Sequence, residues 1–216
     1  MSVPRGLALL LLTLVIGACQ DPRARLPNRA NFEAAVADYL AQRGHLCLGL
    51  YEWPITVGDA DRAHPPGEMR RMVALESLGL VSGQDVPPRR AGGAAAGPIT
   101  AREYRLTALG RRYYLHAPEV VSTAFRHVTH EADLCAATLS LDRLIGWERP
   151  MRLHGRTVTS VLFTYRAMPA PWMQTDTATR AFPTVTRALR NAGRLQVRIG
   201  MHLTPSGWVA DELSAS

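Results

Sequence analysis

Two runs in the second half of the chain, CAATLSLDRLIGWE (135–148) and RTVTSVLFTYRAM (156–168), constrain the fold most. Each is rich in apolar and β-branched residues and long enough to be a strand. RPMRLHG (149–155) between them is short enough to be a hairpin connection, so the two runs are expected to pair antiparallel. Two further strands follow, RLQVRIGMHLT (194–204) and GWVADEL (207–213), joined at the turn Pro205-Ser206-Gly207. Between the two pairs, residues 170–192 read as short helix and turn, with a firmer helix over 183–191. Strands, a helical crossover and strands again describe an α+β arrangement with a small antiparallel sheet.

The first half is more helical. Asn31 is placed to cap a helix carrying Phe32, Val36, Tyr39 and Leu40 on one face and ending at Gly44. HLCLGLYEWPITV reads as a strand interrupted at Pro54. A second helix runs from Pro66 to Leu78 with Met69, Met72, Val73 and Leu75, and stops at Gly79. Residues 82–99 form a Gly/Ala/Pro-rich loop, EYRL a strand and TALGRRYYL a helix, and another helix is expected near 118–127. A domain boundary is expected near 130, giving units 29–130 and 131–216.

The amino terminus sets the compartment. Arg5 precedes a ten-residue apolar run, Leu7 to Ile16, too short for a bilayer span of about 20 residues. A basic start, an apolar stretch and then small residues have the pattern of a secretory signal peptide over 1–18. Ile16-Gly17-Ala18-Cys19 resembles the lipobox of bacterial lipoproteins. That resemblance implies cleavage before Cys19, a diacylglyceryl group on its thiol and an acylated (palmitate-type) amino terminus. Several acyl chains hold a protein stably to a membrane where one does not. Residues 19–28 are then a lipidated tether. Gln20 rather than Asp follows the cysteine, which in the lipoprotein family implies the outer membrane, facing the periplasm.

With Cys19 lipidated, Cys47 and Cys135 remain, and two thiols in an oxidising compartment are expected to pair. Closing so long a loop is worth about 4 kcal/mol on the chain-entropy account. The alternative is two separate buried thiols.

MVALESLGLVSG, a Gly-rich gap and YRLTALGRRYY together resemble winged-helix regulators of the PadR and MarR type, through Leu75, Leu78, Gly79, Leu80, Val81, Tyr104, Leu106, Thr107 and Gly110. The resemblance implies a winged-helix-like N-terminal half and, in a chain kept in the cytosol, DNA binding. An exported chain is far from the chromosome. Its would-be recognition helix offers only Arg70 and Arg71 beside Glu68 and Glu76. The net charge of +7 comes from 25 basic and 18 acidic residues, with every basic residue an arginine and none in a block of five. It reads as solvated surface, and no nucleic-acid partner is expected.

For chemistry, HVTHEADLC offers His127, His130, Glu131 and Asp133 as metal ligands if the segment is helical, since i and i+3 share a face. No GxSxG, P-loop, GxGxxG or CxxC pattern is present, and no cofactor is implied. The second half is also similar to small uncharacterised proteobacterial exported lipoproteins. The expected function is therefore non-catalytic: a membrane-anchored lipoprotein binding an envelope partner as scaffold or accessory. A metal- or small-ligand-binding lipoprotein is the alternative, and a winged-helix DNA-binding protein applies only if the chain is not exported.

Overall fold

The computed structural model describes residues 21–58, 67–86, 101–122 and 126–213. The expected signal peptide and Cys19 lie outside them, as does most of the loop expected over 82–99. The elements in chain order are α1 (Arg29–Arg43), β1 (His45–Cys47), β2 (Ile55–Gly58), α2 (Gly67–Ser77), β3 (Val81–Val86), β4 (Ala101–Leu106), α3 (Ala108–Arg111), β5 (Tyr114–Ser122), β6 (His127–Trp147), β7 (Met151–Leu153), β8 (Arg156–Pro169), α4 (Asp176–Ala181), α5 (Pro183–Asn191), β9 (Val197–Thr204) and β10 (Gly207–Ala210). The molecule is α+β.

The antiparallel sheet is large rather than small. It has seven strands in the order β1-β6-β8-β9-β10, with β5 also on β6 and β7 also on β8. The paired runs 135–148 and 156–168 are β6 and β8, in register from Ala137 opposite Pro169 to Trp147 opposite Val161. β6 starts eight residues before Cys135, at His127, and its 21 residues make it a beam on the order of 70 Å long. Two bulges, at Leu141/Arg143 and Leu144/Gly146, bend it. The helices between β8 and β9 do not cross the sheet, because β8 and β9 are antiparallel neighbours.

Two cores sit along this beam. One gathers α1 against the sheet: Phe32, Val36 and Leu40 meet Leu144, Val161, Phe163, Ile199, Met201 and Trp208. Phe32 is fully buried, its ring 5.1 Å from Trp147 and 5.0 Å from Trp208. Burying such a side chain contributes about 1.5–3 kcal/mol. The other core gathers α2, a three-stranded sheet (β2-β4-β3) and α4 and α5 around Leu134 and Ala136 of β6. Met72, Leu75, Leu80 and Tyr104 are its fully enclosed centre. α2 ends before Gly79, whose φ of +71° makes the turn into β3.

A winged-helix-like N-terminal half is not what forms. α1 packs on β6 and β10 of the large sheet rather than on α2, because its apolar face has a partner there. Thr107 does cap a helix, accepting from the Gly110 amide at 3.0 Å, but α3 has only four residues. The chain then extends: of the helix expected near 118–127, residues 118–122 belong to β5, paired with the start of β6, and His127 opens β6. The β-branched run Val120-Val121 and the β6 edge beside it decide that outcome. The boundary expected near 130 lies within the span of β6, His127–Trp147.

The described part of the expected tether is also folded. Residues Pro22–Arg25 form a 3-10 turn capped by Asp21, and this turn packs on β10. Asn28, not Asn31, caps α1, accepting from the Asn31 amide at 2.9 Å. The Asn31 side chain instead donates to the carbonyls of Arg23 and Leu26, tying the turn to the helix.

Candidate functional site

The two cores adjoin along β6 where β1 pairs with it antiparallel. Cys47 stands directly opposite Cys135 and the two are joined by a disulfide, spanning 88 positions of sequence. The segment after β1 is held by Asp133. Its carboxylate accepts from the amides of Gly49 at 2.9 Å, Leu50 at 2.8 Å and Leu134 at 2.6 Å. The Leu48 amide adds a bond to the Leu134 carbonyl at 3.0 Å, and the Tyr114 hydroxyl donates to the Tyr51 carbonyl. Bond and carboxylate together hold Leu48 and Leu50 in the α2-side core.

The start of α5 lies over Cys47 and separates two clefts that both reach Thr184, Val185 and the disulfide. The first, of about 410 Å³, is mixed in charge, with Tyr39, Gln42, Arg43, His45, Glu119 and Glu212 on its walls. The Tyr39 hydroxyl donates to Glu212 at 2.6 Å, and burial followed by that carboxylate pushes the phenol up to about 12. Arg43 donates to the Pro118 carbonyl at 2.5 Å. Nδ1 of His45 is buried with no hydrogen-bond partner among the described residues.

The second cleft, of about 660 Å³, is basic. α2 contributes Arg70 and Arg71, α4 contributes Arg180, and Leu48, Phe182 and Pro183 form the apolar wall. Arg71 is fixed by donating to the Leu48 carbonyl. No acidic side chain lines this cleft among the described residues. Phe182 caps α5 without a side-chain acceptor, and Pro183 opens the helix. Guanidinium groups converging with a helix start are chemistry suited to holding an anion.

The residues expected to bind metal are not brought together. His127, His130, Glu131 and Asp133 lie on β6, where the period is two, so His130 faces the opposite side from His127, Glu131 and Asp133. The shared helical face does not exist. His130 stacks on Tyr51, ring centroids 4.0 Å apart, with Nδ1 at 3.7 Å from Glu52. Glu131 lies 4.0 Å from Nδ1 of His116, and Asp133 is committed to backbone amides. Among the described residues no three of His, Cys, Asp and Glu are grouped as a metal needs. The Arg70-Arg71 pair was visible as a charge pair in the sequence. That Arg180 joins it, and that Tyr39 meets Glu212 across 173 positions, carried no sequence signal.

Among the described residues no helix is long and apolar enough to cross a membrane. Comparison of the chain with protein-family models, with curated proteins and with solved structures gives no match.

Proposed function

We propose that this chain is a lipid-anchored envelope protein facing the periplasm, attached through Cys19 in the outer membrane, that acts by binding rather than by catalysis. The observation that carries the binding part is the arginine-lined cleft over the disulfide, which fits an anionic group on a small molecule or on an envelope protein partner. The Cys47–Cys135 disulfide supports export, because such bonds persist in oxidising compartments. In this reading α2 and the β3–β4 hairpin, the part that keeps some winged-helix grammar, serve as scaffold. Arg70 and Arg71 line a cleft with Phe182 and Pro183 on its wall, and Arg71 is tied to the Leu48 carbonyl, which favours a ligand over a DNA groove.

The test is a titration of the folded protein with inorganic pyrophosphate, followed by calorimetry and melting temperature. Saturable binding is expected, weakened about tenfold or more in Arg70→Gln/Arg180→Gln, since each charge-assisted bond is worth about 1.5–3 kcal/mol. Binding that the double variant leaves unchanged, or no binding, refutes the cleft. The anchor is tested separately, by the intact mass of the protein from bacterial membranes. Loss of residues 1–18 and gain of acyl mass, both abolished in Cys19→Ala, is the expected result.

A further inference from the structure

The described residues begin very close to the expected anchor. Cys19 precedes Asp21 by two residues, and two residues of chain reach at most about 7 Å. Asp21 caps the 3-10 turn Pro22–Arg25, which is fixed against β10. The contact is tight: a Cβ at Gly207 would lie 3.1 Å from the Ala24 carbonyl oxygen, and Gly207 also has a φ of +133°. A lipid on Cys19 therefore leaves little freedom. It sets this end of the large sheet against the bilayer.

Strand register shows what else stands at that end. Leu153 is opposite Arg156, Val158 is opposite His202, and Thr204 is opposite Gly207. Continuing the β8–β9 ladder places Thr204 level with Arg156. The β7–β8 tip, the β9–β10 turn and the amino-terminal turn thus form one row, about 15–20 Å across at the usual strand spacing. The row is apolar and basic. Met151, Leu153 and Leu26 are 61%, 51% and 52% exposed. Arg23, Arg25, Arg149, Arg152 and Arg156 are exposed around them. None of the five has a carboxylate partner among the described residues, and the nearby Glu148 is engaged by Arg198. β7 buries none of its three residues.

We infer that this row is a bilayer-docking surface: Met151, Leu153 and Leu26 enter the interface of an anionic phospholipid membrane, and the five arginines meet its headgroups. The inference rests on the lipid-anchor reading for its orientation. Alternating apolar and arginine side chains suit that boundary, since apolar area inserts shallowly while guanidinium groups stay at headgroup level. Docking holds the beam β6 and both clefts in one orientation to the membrane, where the lipid alone fixes only which end of the sheet is near it.

The test needs no lipid on the protein. Both cores and every described strand pair lie within residues 21–213, so the chain 19–216 carrying Cys19→Ser retains them. Its binding is measured by co-sedimentation with vesicles containing phosphatidylglycerol and with pure phosphatidylcholine vesicles. Salt-sensitive binding to the former is expected, falling about fivefold for each of Arg152→Gln and Arg156→Gln. Met151→Glu/Leu153→Glu is expected to lower it roughly tenfold or more. Val73→Glu/Val120→Glu makes the same chemical change at residues 53% and 47% exposed on α2 and β5, and is expected to lose far less. No vesicle binding by the parent chain, or equal loss in both double variants, overturns the docking surface while leaving the anchor intact. An unmodified Cys19 in native membranes overturns the anchor and leaves the vesicle result standing.

Discussion

Replacing Asp133 is expected to loosen the joint between the two cores. The residue is 1% exposed and its two oxygens receive three amides. Oδ1 takes Leu50 and Leu134, and Oδ2 takes Gly49. Asp133→Asn keeps one oxygen and turns an NH₂ toward the Gly49 amide, so one charge-assisted bond is lost and two donors face each other. A bond of that kind is worth about 1.5–3 kcal/mol, and the Asn variant is expected to lose that much. Asp133→Ala strands the Leu50 amide as well, at a residue only 4% exposed, while the exposed Gly49 recovers water. Its loss is expected at about 2–4 kcal/mol. The assay is equilibrium urea unfolding with the disulfide intact, reading the midpoint at constant slope. A loss below about 0.5 kcal/mol in both variants would refute the view that this carboxylate, rather than the cores alone, holds the 48–51 segment.

Removing the disulfide as Cys47→Ser/Cys135→Ser is expected to lower stability by about 4 kcal/mol. Combined with Asp133→Asn, the loss is expected to fall short of the sum, because both devices hold the same few residues; strict additivity in the urea midpoints would contradict this. Alkaline titration forms the third expectation. Burial and then a hydrogen bond to a carboxylate, Glu212 for Tyr39 and Glu119 for Tyr51, push both phenols up to about 12. The folded chain thus holds those protons longer than the unfolded chain, whose tyrosines lose them near pH 10. Their contribution is complete below about pH 10 and is lost as pH rises toward 12. Phenolate absorbance is expected to show a late component that shrinks in Tyr39→Phe and in Tyr51→Phe. A single transition of all 6 tyrosines near pH 10 would rule out both hydrogen-bonded pairs.

Local pattern alone determined much of this molecule. The antiparallel pair 135–148 and 156–168, the helices at 31–43, 67–77 and 183–191, and the Pro205-Ser206-Gly207 turn follow from apolar spacing and turn residues close together in sequence. The cysteine pair was legible from arithmetic and the compartment expected from the amino terminus. Tertiary structure decided the rest, because the deciding partners are remote. Whether Val120-Val121 is helix or strand depended on an open edge of β6, and strand geometry then separated His130 from His127. α1 has an apolar face that any surface of suitable shape can cover; the sheet, not α2, covers it. Arg180 reaches Arg70 and Arg71 only because α4 packs beside α2. A period in the sequence states which face of an element is apolar, and only packing states what that face meets.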